Sequence, residues 1–133
     1  MKKLDRRYIG HAENGLGFSI SAGLRQGNLV FVSGAGTIDE DGRVPEALRN
    51  DTAAQTRLTL DEIDRVLREA GGSLEDAVMF TVFLGNAADF PAMNQVWTER
   101  FKDLRPTRTT VGVELMDPDL CVEINAIAVI DPA

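Results

Sequence analysis

The sequence is poor in the residues on which disulfide-bonded and metal-binding proteins depend. It has one cysteine and one histidine among 133 residues. A single cysteine excludes a disulfide within the chain, and a single histidine cannot form a metal site without other ligands at suitable spacing. The sequence therefore gives no indication of a metal centre.

Basic residues are also in the minority. The chain has 14 lysines and arginines against 21 aspartates and glutamates, which gives a formal net charge of -7. A chain with this balance repels the phosphates of nucleic acids and the anionic surfaces of membranes. We therefore expect neither nucleic acid nor a membrane as a partner.

Long apolar runs are missing as well. The basic cluster formed by Lys2, Lys3, Arg6 and Arg7 is followed by no stretch long enough for a signal-peptide core or a membrane span. The cytoplasm is therefore the expected location. With 44% hydrophobic residues, the chain is long enough for one core and too short for two ordinary ones. We expect a single domain over residues 1–133, in which residues 1–16 form a polar lead-in.

The first strands are predicted from "GFSISAGLRQGNLVFVSG", residues 17–34. Two runs of alternating or β-branched residues flank Gln26, Gly27 and Asn28, which is typical of a β-hairpin. The next segment is rich in glycine, aspartate and proline and has no sustained period. It predicts a long loop with one tight turn at residues 40–42.

A helix is predicted between Asp51 and Ala70. Asn50 or Asp51 would cap its start, and Gly71 and Gly72 would end it. The apolar residues that follow the helical period are Ala54, Leu58, Ile63, Val66, Leu67 and Ala70.

A buried strand and a second helix follow. Residues 77–84 are apolar on both alternating faces, which indicates a central strand. The second helix, for which Asn86 or Asp89 is available as cap, is predicted to place its aromatic residues in the core. Its apolar residues are Phe90, Met93, Trp97 and Phe101.

The chain is predicted to end in a second hairpin. The runs "RTTVGVEL" and "CVEINAIAVI" flank "MDPD", whose sequence is typical of a loop. The resulting order β-β-α-β-α-β-β indicates an α+β fold, in which two helices cover one face of a mixed sheet. The other face would be substantially apolar and uncovered. Because soluble monomers rarely expose such a face, we expect it to pack against other copies in a closed cyclic oligomer.

Arg108 is the first candidate for chemistry. The alternation of the penultimate strand places it at the strand's start, on the same face as Thr110. A guanidinium at this position offers a planar fork of donors that suits the two oxygens of a carboxylate. An edge arginine paired with a surface carboxylate fits the sequence equally well.

Glu123 is the second candidate, because it interrupts the apolar strand "VEINAIAVI" together with Asn125. An unpaired carboxylate buried there would cost several kcal/mol or raise its pKa. In the predicted hairpin Glu123 lies opposite Val113, and Arg108 is on the order of 16 Å away at about 3.3 Å per residue. A site that uses both residues would therefore be a wide cleft or would combine two subunits.

Four segments carry a resemblance to a known family. They are "GNLVFVSGAG", "REAGGSLEDAVMFTVFL", "DFPAMNQVW" and above all "RPTRTTVGVELMDPDLCVEINAIAV". Together they resemble the YjgF/Rid family of reactive-intermediate deaminases, in the same order and over residues from about 18 to 131.

This resemblance implies a chorismate-mutase-like fold and a homotrimer with three clefts between subunits. It implies no cofactor, and it implies hydrolysis of small enamines and imines, such as 2-aminoacrylate and 2-iminopropanoate, to 2-keto acids and ammonia. Arg108 matches the arginine that binds the substrate carboxylate, and Glu123 matches the glutamate that handles water. The remaining substrate-binding positions match Ser33, Gly34, Ala35, Thr110 and Ile20.

The chain also departs from the family pattern. Ile20 stands where deaminase members carry a tyrosine over the substrate, and Ala35 stands where better-known members have a polar residue. These changes favour either a bulkier, more apolar imino acid or slower turnover of small substrates. A non-catalytic, carboxylate-binding regulatory trimer is the main alternative. An RNA-cleaving protein is disfavoured by the charge, and a chorismate mutase is disfavoured by the few cations near Arg108.

Overall fold

The computed structural model describes residues 5–10 and 19–131. Within this part the chain forms six strands and two α-helices, joined by short loops and 3-10 turns. The strands are β1 (Arg6–Ile9), β2 (Gly23–Gln26), β3 (Leu29–Ala35), β4 (Ala77–Leu84), β5 (Thr107–Gly112) and β6 (Val122–Val129). The helices are α1 (Thr52–Glu69) and α2 (Phe90–Phe101).

All six strands belong to one mixed sheet. Its order is β1-β2-β3-β6-β4-β5. β4 and β5 are parallel, and every other neighbouring pair is antiparallel. Both helices cover one face of this sheet, so the predicted α+β fold with a mixed sheet and two helices on one face is confirmed.

The first predicted hairpin is also confirmed. β2 and β3 pair from Gln26 and Leu29 outward, so Gly27 and Asn28 form a two-residue turn. Gly27 has a φ of 61°, a left-handed conformation that glycine adopts without a steric penalty. The predicted lead-in contains the additional strand β1, which pairs with β2, while residues 1–4 and 11–18 lie outside the described part.

The second predicted hairpin is wrong. β5 pairs with β4, in a register that places Arg108 opposite Phe80. β6 lies between β3 and β4, with Glu123 opposite Phe83. The loop sequence suits a hairpin, but only a central position gives the backbone of this apolar strand partners on both sides.

The segment between β5 and β6 therefore crosses over the end of β4. Gly85, just after β4, makes this crossing feasible because a Cβ there would lie 2.9 Å from the carbonyl oxygen of Leu120. Two backbone hydrogen bonds hold the crossing, from Val113 N to Leu84 O and from Gly85 N to Cys121 O.

The predicted ends of α1 are confirmed. Asp51 caps the helix by accepting a hydrogen bond from Ala54 N at 3.0 Å. Gly71 has a φ of 100°, and Gly72 N donates to Leu67 O, which together form a Schellman motif.

The buried face of α1 differs from the prediction in its first half. Ile63, Val66, Leu67 and Ala70 are buried as predicted, whereas Leu58 is 43% exposed. The buried residues of the first two turns, residues 52–59, are instead polar: Thr52, Gln55, Thr56 and Thr59. This half of α1 packs on loops, whose backbone groups need hydrogen-bond partners.

Gln55 is the central residue of that polar contact. Its Nε2 donates to Leu48 O at 2.8 Å and to Asp119 O at 3.1 Å, and its Oε1 accepts from Cys121 N at 2.8 Å. The side chain is fully buried. Gln55 thus ties α1 to the segment that leads into β6.

The sheet face opposite the helices is apolar, as predicted. Its exposed large apolar side chains in the single chain are Leu29, Phe31, Met79, Val111 and Val129, with exposed fractions between 37% and 45%. They come from four different strands. This surface is called the open face below. In the described part of the chain, no helix is long and apolar enough to cross a bilayer.

Replacing Gln55 with leucine is expected to destabilise the protein, because three half-buried backbone groups lose their partner. At about 1–3 kcal/mol for an unsatisfied buried group, we expect a loss of at least about 2 kcal/mol, or roughly 6–10 °C in Tm. Thermal unfolding measures this effect. Gln95→Leu, the same change on the exposed side of α2, is the control, and equal stability of the two variants would contradict the role of Gln55.

Asp64 on α1 links that helix to the turn before β4. Its carboxylate accepts from Leu74 N at 2.8 Å and from Arg68 Nε at 2.7 Å. Burial by itself raises the pKa of the Asp64 carboxyl. The hydrogen bonds from Arg68 and the Leu74 N–H, with the charges of Arg68 and Arg100, outweigh it and lower the pKa.

A lowered pKa in the folded state stabilises the protein above the unfolded-state pKa of about 3.9, and this contribution disappears as the pH falls through the folded-state pKa. Asp64→Asn should therefore lower Tm at pH 7, and the difference from the wild type should shrink below about pH 4. Melting curves at pH 7 and pH 3 test this, with the exposed Asp103→Asn as control. A difference that persists unchanged at pH 3 would contradict the electrostatic cause.

Candidate functional site

Arg108 lies on the edge strand β5 and points to the helix side of the sheet. Its partner in register is Phe80, whose ring packs against α2. The guanidinium carbon lies 5.0 Å from the centre of the Trp97 ring and 5.5 Å from that of Phe90. Nη1 also lies 3.9 Å from the sulfur of Met93. Two aromatic faces and a thioether thus fix the guanidinium.

No carboxylate within the described residues forms an ion pair with Arg108. The alternative of an edge arginine paired with a surface carboxylate therefore has no support in this part of the chain. Burial lowers the pKa of the Arg108 guanidinium, yet an arginine side chain remains charged in proteins. A half-buried cation whose neighbours are aromatic and apolar is suited to bind an anion from solution.

Thr110 lies on the same side of β5 as Arg108. It pairs in register with Val82 and is half-buried. Its hydroxyl is two positions from the guanidinium, at a sheet edge that has no further strand in the described structure.

Glu123 lies on the open face. This position explains why a carboxylate can occur in an otherwise apolar strand. On β6 the residues facing the helices are buried, and those between them, including Glu123 and Asn125, are half-buried. Asn125 Oδ1 accepts a hydrogen bond from Thr81 N at 3.2 Å. Glu123 extends over Gly34, where a Cβ would lie 2.9 Å from its Oε2. Glycine at position 34 therefore gives the carboxylate its space.

A cleft of about 560 Å³ lies where β3 ends, between that strand, α1 and the loop after β3. It brings together four of the sequence-predicted residues: Ile20, Ser33, Gly34 and Ala35. Ser33 Oγ donates to Ser21 O at 2.6 Å, so its hydroxyl is already engaged. This segment can therefore contact a ligand through its backbone groups.

Arg108 and Glu123 do not meet within one chain. They lie on opposite faces of the sheet, two strands and three register positions apart. With about 3.3 Å per residue and about 4.8 Å per strand, their Cα atoms are roughly 14 Å apart. The predicted separation was similar, but it was based on the wrong strand pairing.

Phe90, Met93 and Trp97 form a part of the site that sequence reasoning missed. Their helical spacing predicts core packing, and Met93 and Trp97 are indeed buried. Their contact with Arg108 depends on β5 lying parallel beside β4, which the sequence pattern does not reveal. Within the described residues, no group of three or more His, Cys, Asp or Glu side chains could hold a metal ion.

Comparison with known proteins identifies the family. Residues 18–130 match the family described as Endoribonuclease L-PSP. The chain belongs to this family, also known as YjgF/Rid. RutC, a 3-aminoacrylate deaminase from Acinetobacter baylyi, is 45% identical over 101 residues, which are 76% of this chain and 79% of that protein. A RutC family protein from Pyrococcus abyssi is 38% identical over 108 residues, which are 81% of this chain and 84% of that protein.

Solved structures of the family share the fold. The YjgF gene product of E. coli superposes with a TM-score of 0.78 at 31% identity, covering 92% of this chain and 98% of that chain. A YjgF family member from Neisseria meningitidis gives a TM-score of 0.78 at 30% identity, covering 97% of this chain and 98% of that chain. The resemblance seen in the sequence motifs is thereby confirmed.

Trp97 is the only tryptophan of the chain, so its fluorescence should report on Arg108. Binding of a small carboxylate such as 2-oxobutanoate should change the emission in a saturable way, because the charge next to the indole is then neutralised. Arg108→Ala should remove the response, whereas Arg57→Ala, a change on the exposed side of α1, should keep it. A saturable response that survives in Arg108→Ala would place the carboxylate elsewhere.

Proposed function

We propose that this protein is a cofactor-independent deaminase that hydrolyses small carboxylate-bearing enamines and imines to oxo acids and ammonia. The observation that carries this proposal is the Arg108 guanidinium, fixed by Phe90 and Trp97 and without an ion-pair partner in the described chain. The 45% identity to a 3-aminoacrylate deaminase supports deamination at the family level.

The proposed active site is formed by residues from two chains of a homotrimer. Arg108 and Thr110 lie on the helix side of one protomer, whereas Glu123 and Gly34 lie on the open face. A ligand of three or four carbons is too short to reach both groups within one chain. Packing the apolar open face against neighbouring copies would bury it and bring the Glu123 of one chain towards the Arg108 of another.

In the proposed reaction Arg108 binds the substrate carboxylate through its N–H donors. Backbone groups of the Ser33–Ala35 segment and Thr110 orient the C=N group. Glu123 accepts a proton from water as the water oxygen bonds to the imine carbon. That proton passes to the imine nitrogen, which gives a carbinolamine. Glu123 then transfers the hydroxyl proton to the amino group, the C–N bond breaks, and ammonia leaves as the C=O bond forms. Atoms and charges balance without a cofactor.

Two substrate types fit this chemistry. The first is 2-aminoacrylate with its imine tautomer 2-iminopropanoate, which would give a 2-keto acid. The second is 3-aminoacrylate, on which the relative RutC acts according to its name. Both have a carboxylate for Arg108 and a nitrogen-bearing carbon for water to attack. They differ in the distance between the two groups, so kcat/KM measured for both discriminates between them.

The alternative is a non-catalytic regulatory trimer that binds a carboxylate or keto acid at Arg108. Ile20 favours it, because this side chain has no hydroxyl to offer a substrate. Saturable binding of 2-oxobutanoate without acceleration of imine loss would support this alternative over the enzyme.

A coupled assay tests the activity. An amino-acid oxidase generates imines, semicarbazide traps those that remain, and the protein should reduce trapping in proportion to its concentration. Arg108→Ala and Glu123→Gln should each reduce kcat/KM by at least about 100-fold, since one loses carboxylate binding and the other loses proton transfer. If wild-type protein accelerates no imine, the proposed activity is refuted.

Mixing the two inactive variants tests the shared site. When Arg108→Ala and Glu123→Gln chains are co-expressed in equal amounts, about a quarter of the interfaces in a cyclic trimer combine an intact Arg108 with an intact Glu123. Activity should therefore return to roughly that fraction of the wild-type value. A site built within one chain would show no recovery, and a monomer in sedimentation would also contradict the proposal.

A further inference from the structure

We propose that a row of polar side chains across the open face, formed by Asn125, Thr81 and Thr109, fixes the register in which copies of this chain pack together. This inference rests on the proposed function, because it concerns the interface on which the shared site depends. The partner of the row is a second copy of the chain, which has to offer hydrogen-bond donors and acceptors at matching positions.

The row runs straight across three neighbouring strands. Asn125 on β6 is opposite Thr81 on β4, and Thr81 is opposite Thr109 on β5. Asn125 and Thr81 are half-buried in the single chain, and Thr109 is exposed. The rows on either side are mostly apolar and contain Phe31, Ile127 and Met79 on one side and Phe83 and Val111 on the other. The row is therefore a polar stripe inside an apolar surface.

The polar groups of the row keep hydrogen-bonding capacity for a partner. Asn125 Oδ1 accepts from Thr81 N at 3.2 Å, which orients the amide. Among the described residues, Asn125 Nδ2 has no acceptor, and the hydroxyl groups of Thr81 and Thr109 form no hydrogen bond. Thr107, on the same face of β5, differs because its hydroxyl donates to Val78 O at 2.8 Å. The centre of the open face is thus the part that needs groups from outside the chain.

A chain that covers the open face has to satisfy this row. Buried donors and acceptors without partners are costly, so a purely apolar surface is disfavoured, and so is a copy displaced along the strands. In coiled coils, a single polar position inside an apolar interface likewise fixes register and the number of chains. The occupant is a second copy, because the Glu123 of the open face needs the Arg108 of another chain for the proposed chemistry.

The register of the row also decides the geometry of the shared site. Glu123 lies on the same face of β6 as Asn125, two residues or roughly 7 Å along the strand. A neighbouring chain displaced by one such step would move its Arg108 by the same distance relative to Glu123. Because a misplacement of about 1 Å can cost on the order of 100-fold in rate, register and activity are coupled.

Sedimentation velocity and native mass spectrometry of the full chain measure the assembly. Wild-type protein should form one species, whereas Asn125→Leu combined with Thr81→Val should form at least two species of different size. This variant keeps the apolar surface, so its chains should still associate and should not become monomers. In the imine assay its kcat/KM should fall by at least about tenfold, because Arg108 and Glu123 of neighbouring chains are aligned in only part of the assemblies.

Two controls separate the row from a general effect of the substitutions. Gln95→Leu combined with Thr98→Val makes the same kind of change on the exposed side of α2 and should leave assembly and kcat/KM unchanged. Thr81→Ser keeps the hydroxyl and should keep one species. If the Asn125→Leu chain fails to fold, Thr81→Val with Thr109→Val, which preserve the shape of threonine, takes its place and should give the same mixture of sizes.

The outcomes distinguish this inference from the proposed function. A folded variant that forms one species of the wild-type size overturns the inference, even if imines are hydrolysed and the deaminase proposal stands. A wild-type chain that stays monomeric overturns it as well. If the wild type forms one species and the variant forms a mixture, but no imine is hydrolysed, the deaminase proposal fails and the inference stands.

Discussion

The position of β6 between β3 and β4 is the constraint from which the rest of this structure follows. Both neighbours supply backbone hydrogen bonds, so this apolar strand has no free edge. The same position makes the preceding segment cross over the end of β4, where Gly85 leaves room for it and Gln55 holds it. It also places Glu123 against Gly34, at the border of the cleft.

A second consequence is the separation of the two charged groups on which the proposed chemistry depends. Arg108 lies on the helix side of the edge strand, and Glu123 lies on the open face two strands away. Each is surrounded by groups that do not neutralise it: aromatic rings and a thioether around Arg108, and a glycine beside Glu123. For the proposed chemistry neither group suffices alone, and the apolar open face gives a physical reason for the proposed association of chains.

Much of this fold could be predicted because its signals are local. Asp51 and Gly71 mark the ends of α1, and Gly27 marks the first hairpin. The motif around Arg108 and Glu123 is specific enough to indicate the family from the amino-acid sequence alone. Other features could not be predicted. The last two strands do not pair, the first half of α1 buries threonines and a glutamine, and Trp97 contacts Arg108.

The sequence by itself determined the helices and most of the strands, the apolar character of both sheet faces, and the two residues that are unusual for their strands. These follow from the period of side chains along one segment, which neighbouring residues fix. Only the tertiary structure decided which strands are neighbours, and therefore that Arg108 and Glu123 lie two strands apart. Strand pairing joins segments that are far apart in the chain, and it is decided by the burial of the whole sheet. A local turn signal such as "MDPD" therefore cannot decide which strands pair.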